Sequence, residues 1–141
     1  PPSPDTPYLL LVSGLGGGSQ DTYVRGMAVA AAERGWQVGV LNMRACGGTE
    51  VTSPRFFSAC RGSTDDVRLA VMHVRRNLLA SGRAAPPLAL AGWSNGGTIV
   101  INYLAEQGGE LLSESSARLS ATELLMGRVD AAAVLACPLH M

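Results

Sequence analysis

This sequence has little charge and no run of like sign: 11 basic residues cancel 11 acidic ones, and charged residues make up 16% of the chain. That balance excludes the basic footprint of a nucleic-acid binder and the polybasic patch of a membrane-surface protein. No apolar run approaches the roughly 20 residues a spanning helix needs, and no signal-peptide pattern is present, so any membrane association would have to come from segments outside these residues. The three cysteines, Cys46, Cys60 and Cys137, cannot all pair and lack zinc-site spacing, which favours reduced thiols in an intracellular compartment. No cofactor or metal is called for, and the expected partner is a small molecule.

What the chain does have is apolar content, 47% over 141 residues, enough for one domain with one core. It starts at Pro1 without a methionine and stops at Met141 just beyond an apolar run, which suggests a piece of a longer protein. The unbroken run Tyr8 to Val12 suits a strand covered on both faces. Val24, Met27, Ala28 and Ala31 then recur at helical spacing, with Gly35 as the stop. Trp36 to Leu41 reads as a second strand, and Asn42 to Cys60 as a long loop beside a site. Ser63 and Asp66 have the spacing of a capping box before a stripe of Val67, Val71, Val74 and Leu78. After a turn from Ser81 to Pro87, Leu88 to Gly92 is a third strand. Asn95 to Gln107 follows as a helix apolar on nearly all sides, ended by Gly108 and Gly109. Residues 110–128 read as a surface helix or insertion, and residues 131–136 as the last strand. Alternation of strand and helix predicts the α/β class, a parallel sheet with helices on both faces.

The chemistry concentrates in Gly92-Trp93-Ser94-Asn95-Gly96, placed where the third strand turns into the third helix. Gly-x-Ser-x-Gly alone arises by chance in roughly one of six chains of this composition, so its setting decides. A nucleophile elbow forces serine into a strained conformation in which only very small residues fit two positions before and after, and Gly92 and Gly96 meet that demand. Ser94 is the candidate nucleophile, beside a helix N-terminus whose amides face a developing oxyanion. The loop Ser13-Gly14-Leu15-Gly16-Gly17-Gly18 follows the first strand and opens on the same side of a parallel sheet. The backbone N–H groups of Leu15 and Asn95 are therefore assigned to the oxyanion hole. The plainer reading of Ser94 is a helix N-cap. A dinucleotide-binding reading of Gly14-x-Gly16 is weaker, because Ser19 holds the third-glycine position and the second strand ends at Leu41-Asn42 without an acidic residue.

The stretches "SGLGGGSQDTYVRGMAVAAAERGWQVGVLNMRACGGTEVTSPRFFSA", "DDVRLAVMHVRRN" and "LALAGWSNGGTIVINYLAEQG" together resemble the abhydrolase family of YheT-like and plant embryogenesis-associated hydrolases, over residues 8–109. The resemblance implies a partial α/β-hydrolase fold and a serine esterase or lipase. Ser94 would be the nucleophile, Gly92, Trp93 and Gly96 the elbow, and Asn42, Met43 and Arg44 a structural loop. Two positions depart from the family pattern: Ser13 stands where histidine is usual, and Ala45 follows Arg44 where glycine is usual. Oxyanion donors are backbone amides, so the first departure need not abolish function.

In this fold the triad runs serine, acid, histidine along the chain. His73 precedes Ser94. Asp130 and His140 follow in the right order, but the strand between them separates the pair by roughly 20 Å at 3.3 Å per residue. No triad acid or base is therefore expected in this chain, which reads as the nucleophile and oxyanion half of a carboxylic ester hydrolase acting on lipid or acylglycerol esters. The alternative is a truncated or degenerate fold that binds acyl groups without catalysis. The family's strand order would leave the second and fourth strands as apolar edges, which favours aggregation of the piece alone.

Overall fold

A computed structural model describes residues 5–51, 61–80, 82, 86–112 and 120–137. His140, Cys60, residues 52–60 of the long loop and most of the expected turn at 81–87 lie outside the described residues. Four parallel strands, β1 (Tyr8–Val12), β2 (Gln37–Leu41), β3 (Leu88–Trp93) and β4 (Ala131–Leu135), form one sheet in the order β2-β1-β3-β4. Helix α1 (Thr22–Glu33) follows β1, α2 (Arg61–Ala80) follows β2, and α3 (Asn95–Leu112) and α4 (Ala121–Gly127) lie between β3 and β4. This is an α/β architecture, a partial α/β-hydrolase fold.

Alternation along the central strands divides the core in two. Leu10, Val12, Leu88 and Leu90 point to one face and pack on Val67, Val71 and Val74 of α2 and Ile99, Val100 and Tyr103 of α3. Leu9, Leu11 and Ala91 point to the other face, against Val24 and Ala31 of α1. Leu11 and Val12 are wholly inaccessible, as the unbroken apolar run required, and each fully buried side chain of this size contributes about 2 kcal/mol. α1 and α3 leave neighbouring strands for opposite faces, so the carboxyl ends of β1 and β3 form a topological switch point, the place where ligands bind open parallel sheets.

The helix ends reveal which signals the sequence offered. Gly35, at φ 81°, ends α1 in a Schellman motif: Trp36 N–H donates to Ala31 O at 3.1 Å and Gly35 N–H to Ala32 O at 2.9 Å. Two expectations fail. Gly108 and Gly109 do not end α3, which runs on to Leu112; a Cβ at either would meet nothing within 4 Å, so exposed glycines here weaken the helix without breaking it. Ser63 does not cap α2, which already begins at Arg61, and the Asp66 carboxylate pairs with Arg44 instead. The capping box lies at Ser120 and Glu123, where each side chain bonds the other residue's backbone N–H, and the bonds from Ser120 N–H and the Ser120 hydroxyl to Oε2 hold the Glu123 carboxyl below its usual range.

Helix α4 is docked by polar contacts. The Tyr103 hydroxyl and Gln107 Nε2 both donate to Gly127 O, and burial pushes the Tyr103 phenol up to about 12, so it remains a donor. The chain next enters β4 through a second polar lock. Arg75, only 8% exposed, donates to Arg128 O at 2.7 and 2.9 Å and to Asp130 Oδ2 at 3.0 Å. The same carboxylate accepts Leu88 N–H at 2.8 Å, while Asp130 N–H donates to Leu88 O at 2.8 Å. β4 itself is exposed along its length, and Ala131, Ala133 and Leu135 share with Met27, Ala89 and Ala91 an apolar groove on the α1 face. No described helix is long and apolar enough to cross a membrane.

Burial works to raise the Asp130 carboxyl, but the Leu88 N–H and the Arg75 guanidinium outweigh it and hold the group below its ordinary 3.8. Its contribution to stability is therefore complete above about pH 4 and lost as pH falls through the lower folded value. Asp130→Asn should cost about 1 kcal/mol in urea unfolding near pH 7, partial exposure screening the pair, and the difference from wild type should shrink as pH falls through the carboxyl's lowered folded value. The open edge and groove lead to a second expectation: the 141-residue chain self-associates as its concentration rises, and Ala133→Lys reduces that association in sedimentation velocity.

Candidate active site

Ser94 lies at the junction of β3 and α3, exposed, with φ at 51°, a left-handed conformation that costs a non-glycine residue roughly 1–2 kcal/mol. Its backbone is held on both sides. Ser94 N–H donates to Leu135 O of β4 at 2.9 Å, and Ser94 O accepts from Thr98 N–H at 3.1 Å, which begins the helical ladder of α3. The flanking glycines are required by space. A Cβ on Gly92 would lie 2.6 Å from Gly96 O, and one on Gly96 would run into the Ser13 carbonyl and come within 2.5 Å of Val12 O. The turn from β3 into α3 is thus tight enough to bring the helix start against the end of β1.

The loop after β1 meets the elbow directly. A Cβ on Gly14 would sit 3.5 Å from Ser94 Cβ and 3.6 Å from Trp93 O, ordinary van der Waals contact. Gly17 N–H donates to Gly14 O at 3.0 Å, closing a turn whose third residue, Gly16, has φ 71°. A trans peptide sets its N–H antiparallel to its C=O, so with Gly14 O turned inward to Gly17 the Leu15 N–H faces outward from the turn. Asn95, first residue of α3, has no intrahelical acceptor for its N–H. The structure thus brings the Leu15 loop, Ser94 and Asn95 together at the carboxyl ends of β1 and β3.

A second loop braces the first. Asn42 accepts Ser19 N–H at 2.8 Å and donates from Nδ2 to Ser19 Oγ at 3.2 Å, while Gly18 N–H is taken by Asp21 Oδ2 at 3.2 Å. Those commitments use amides that a dinucleotide pyrophosphate would need ahead of α1. Arg44 reaches α2 with a two-pronged bond to Asp66, Nε to Oδ2 at 2.8 Å and Nη2 to Oδ1 at 2.7 Å. Between them Ala45 has φ 63°, so the alanine that departs from the family pattern occupies a conformation glycine adopts freely. Ser13 is buried, its Oγ without a partner.

The remaining candidates lie apart from Ser94. Asp130 precedes β4, at the opposite end of the sheet from the elbow, and serves the β3–β4 lock. His73 is exposed on α2, its Nε2 2.9 Å from Asn77 Nδ2. Neither Cys46 nor Cys137 is in a disulfide; Cys137, unlike the others, lies against the first turn of α3, its Sγ 3.4 Å from Thr98 Oγ1, and no cluster of potential metal ligands occurs among the described residues.

Gly96→Ala should destabilise by about 3 kcal/mol or more, since two backbone carbonyls would have to move, whereas Ala45→Gly should be neutral or stabilising by up to about 1 kcal/mol, relief of the left-handed strain outweighing the added backbone freedom. Urea midpoints of the two variants check both signs.

No family model matches the chain. Curated proteins do. It is 39% identical over 105 residues to embryogenesis-associated protein EMB8 of Picea glauca, covering 74% of this chain and 21% of that protein. It is 32% identical over 102 residues to phospholipase ABHD3 of Homo sapiens, covering 72% of this chain and 23% of that protein. It is 30% identical over 135 residues to the esterase-named YheT of Escherichia coli K12, covering 96% of this chain and 35% of that protein. The chain thus spans between a fifth and about a third of the length of these relatives. An acetyl xylan esterase structure superposes loosely, with TM-score 0.46 at 22% identity over 94% of this chain and 63% of that one. By sequence relationship, and with the parallel sheet expected of it, this chain belongs to the abhydrolase-domain proteins of the α/β-hydrolase superfamily.

Proposed function

We propose that this chain supplies the nucleophile and the oxyanion donors of a serine hydrolase of carboxylic esters, with lipid or acylglycerol esters as substrates. The observation that carries the reading is the exposed Ser94 at φ 51°, in contact range of the Gly14 loop and one residue before the start of α3. Relatives named phospholipase ABHD3 and monoacylglycerol lipase, the latter from Saccharomyces cerevisiae, support the substrate class.

In this reading Ser94 Oγ attacks the ester carbonyl carbon as a base removes its proton. The carbonyl oxygen becomes an oxyanion held by the Leu15 and Asn95 N–H groups, and each such donor is worth on the order of 3 kcal/mol of barrier. Collapse expels the alcohol with the proton returned by the base, leaving an acyl group on Ser94. Water then attacks the acyl carbonyl, its proton passing to the base; collapse breaks the bond from Ser94 Oγ to the acyl carbon, the base returns the proton to Oγ, and the carboxylic acid is released. Trp93 and the loop from Asn42 shape the acyl side. The acid and base come from outside the described residues, as does any segment that brings the protein to a membrane, and residues 1–141 form one part of a hydrolase domain, the proposed insertion at 110–128 beginning only beyond the end of α3 at Leu112. His73, exposed and beside Asn77, has no part in the step.

A fluorophosphonate probe tests this. Labelling of the whole protein should be lost on Ser94→Ala, and labelling that survives the change would remove the assignment. The 141-residue chain alone should label slower by roughly six orders of magnitude, the loss that removal of a triad's base brings, with only the oxyanion donors left to act. Binding of fatty acyl ligands with no Ser94-dependent labelling would identify a non-catalytic acyl-binding fold.

A further inference from the structure

Tyr23, the second residue of α1, bridges the two halves of the site. Its hydroxyl accepts the Gly14 N–H at 3.0 Å. Its ring meets Trp93 edge to face, centroids 5.3 Å apart and planes at 64°. Gly14 belongs to the loop that carries Leu15, and Trp93 immediately precedes Ser94, so one side chain holds a residue next to each proposed oxyanion donor or nucleophile. The fit is close: a Cβ on Gly17 would come within 3.0 Å of Tyr23 Oη, and one on Gly14 within 3.6 Å.

We propose that Tyr23 is a positioning residue for ester hydrolysis, fixing the Leu15 N–H relative to Ser94 and Asn95; the inference rests on the hydrolase reading above. The Gly14 peptide groups are bound on both sides. Gly14 O, in the same peptide as the Leu15 N–H, is fixed by Gly17 N–H, and Gly14 N–H, in the preceding peptide, by Tyr23, so swinging the Leu15 N–H within the turn breaks the first bond and displacing the whole turn breaks the second. The Gly17 bond is local to the turn and moves with it. The Tyr23 bond ties the turn to α1, and through the ring to Trp93, which makes it the contact that sets loop against elbow. Tyr23 is itself 42% exposed, so its hydroxyl contributes little to the core and its removal acts on geometry first.

The test compares Tyr23→Phe, which keeps the ring on Trp93 but removes the acceptor, with Tyr23→Leu, which removes both. In the whole protein, Tyr23→Phe should lower kcat for a nitrophenyl ester roughly tenfold with KM within about twofold, and slow fluorophosphonate labelling by the same factor. Tyr23→Leu should lose more. Thermal unfolding of Tyr23→Phe should match wild type, and exchange of the Gly14 amide proton should quicken. Ser94-dependent labelling that is unchanged in Tyr23→Phe would overturn the positioning role while leaving the hydrolase reading intact. An equal change in KM and kcat, tracking a lowered melting temperature, would reduce Tyr23 to a stability residue. Absence of Ser94-dependent labelling in wild type would remove both the hydrolase reading and the role built on it.

Discussion

The close approach of α3 to the end of β1 is the constraint from which the rest of the site follows. With hydrogen alone at Gly96, the first turn of the helix lies against the carbonyls of Val12 and Ser13, and with hydrogen alone at Gly92 the strand folds back on that same turn. Any larger residue would push α3 outward and take Ser94 away from the loop after β1. The strained φ at Ser94 is a consequence of the same tightness, sustained by bonds to Leu135 O and Thr98 N–H on either side.

Sheet order supplies the second half of the arrangement. β1 and β3 are neighbours whose following helices pack on opposite faces, so the carboxyl edge where they pair is a topological switch point. The glycine loop and the elbow flank it from the two sides. Polar ties keep each flank in place: Tyr23 on Gly14, Asn42 on Ser19, Arg44 on Asp66. A loop of glycines has no side chains of its own with which to hold a shape, and these neighbours provide it.

Much of this was legible in the sequence because period and spacing are local properties. The run Tyr8 to Val12, the stripe on α2 and the Gly92/Gly96 spacing each specify a burial pattern or a close contact without reference to the rest of the chain. The misreadings came where local signals compete. Gly108 and Gly109 have the composition of a stop, but with ten or more residues of α3 already packed on the sheet the helix continues through them. Ser63 and Asp66 have capping spacing, yet a long-range partner, Arg44, claims the carboxylate. Tyr23 was invisible as more than a polar residue near a helix start, because its role depends on Gly14 and Trp93, brought together only by the parallel pairing of β1 with β3. Asp130 has the chain order of a triad acid but the wrong end of its strand, and its pairing with Arg75 spans too much chain for spacing to reveal.

The bond from Ser94 N–H to Leu135 O ties the reactive turn to the outermost strand of the sheet, the one with the least covering. Rigidity at the proposed nucleophile is thus borrowed from the margin of the molecule. Whatever lies along the free side of β4 and damps its motion would stiffen the serine backbone at a distance, and fraying there would loosen it, so the outer rim and the reactive centre share one mechanical fate.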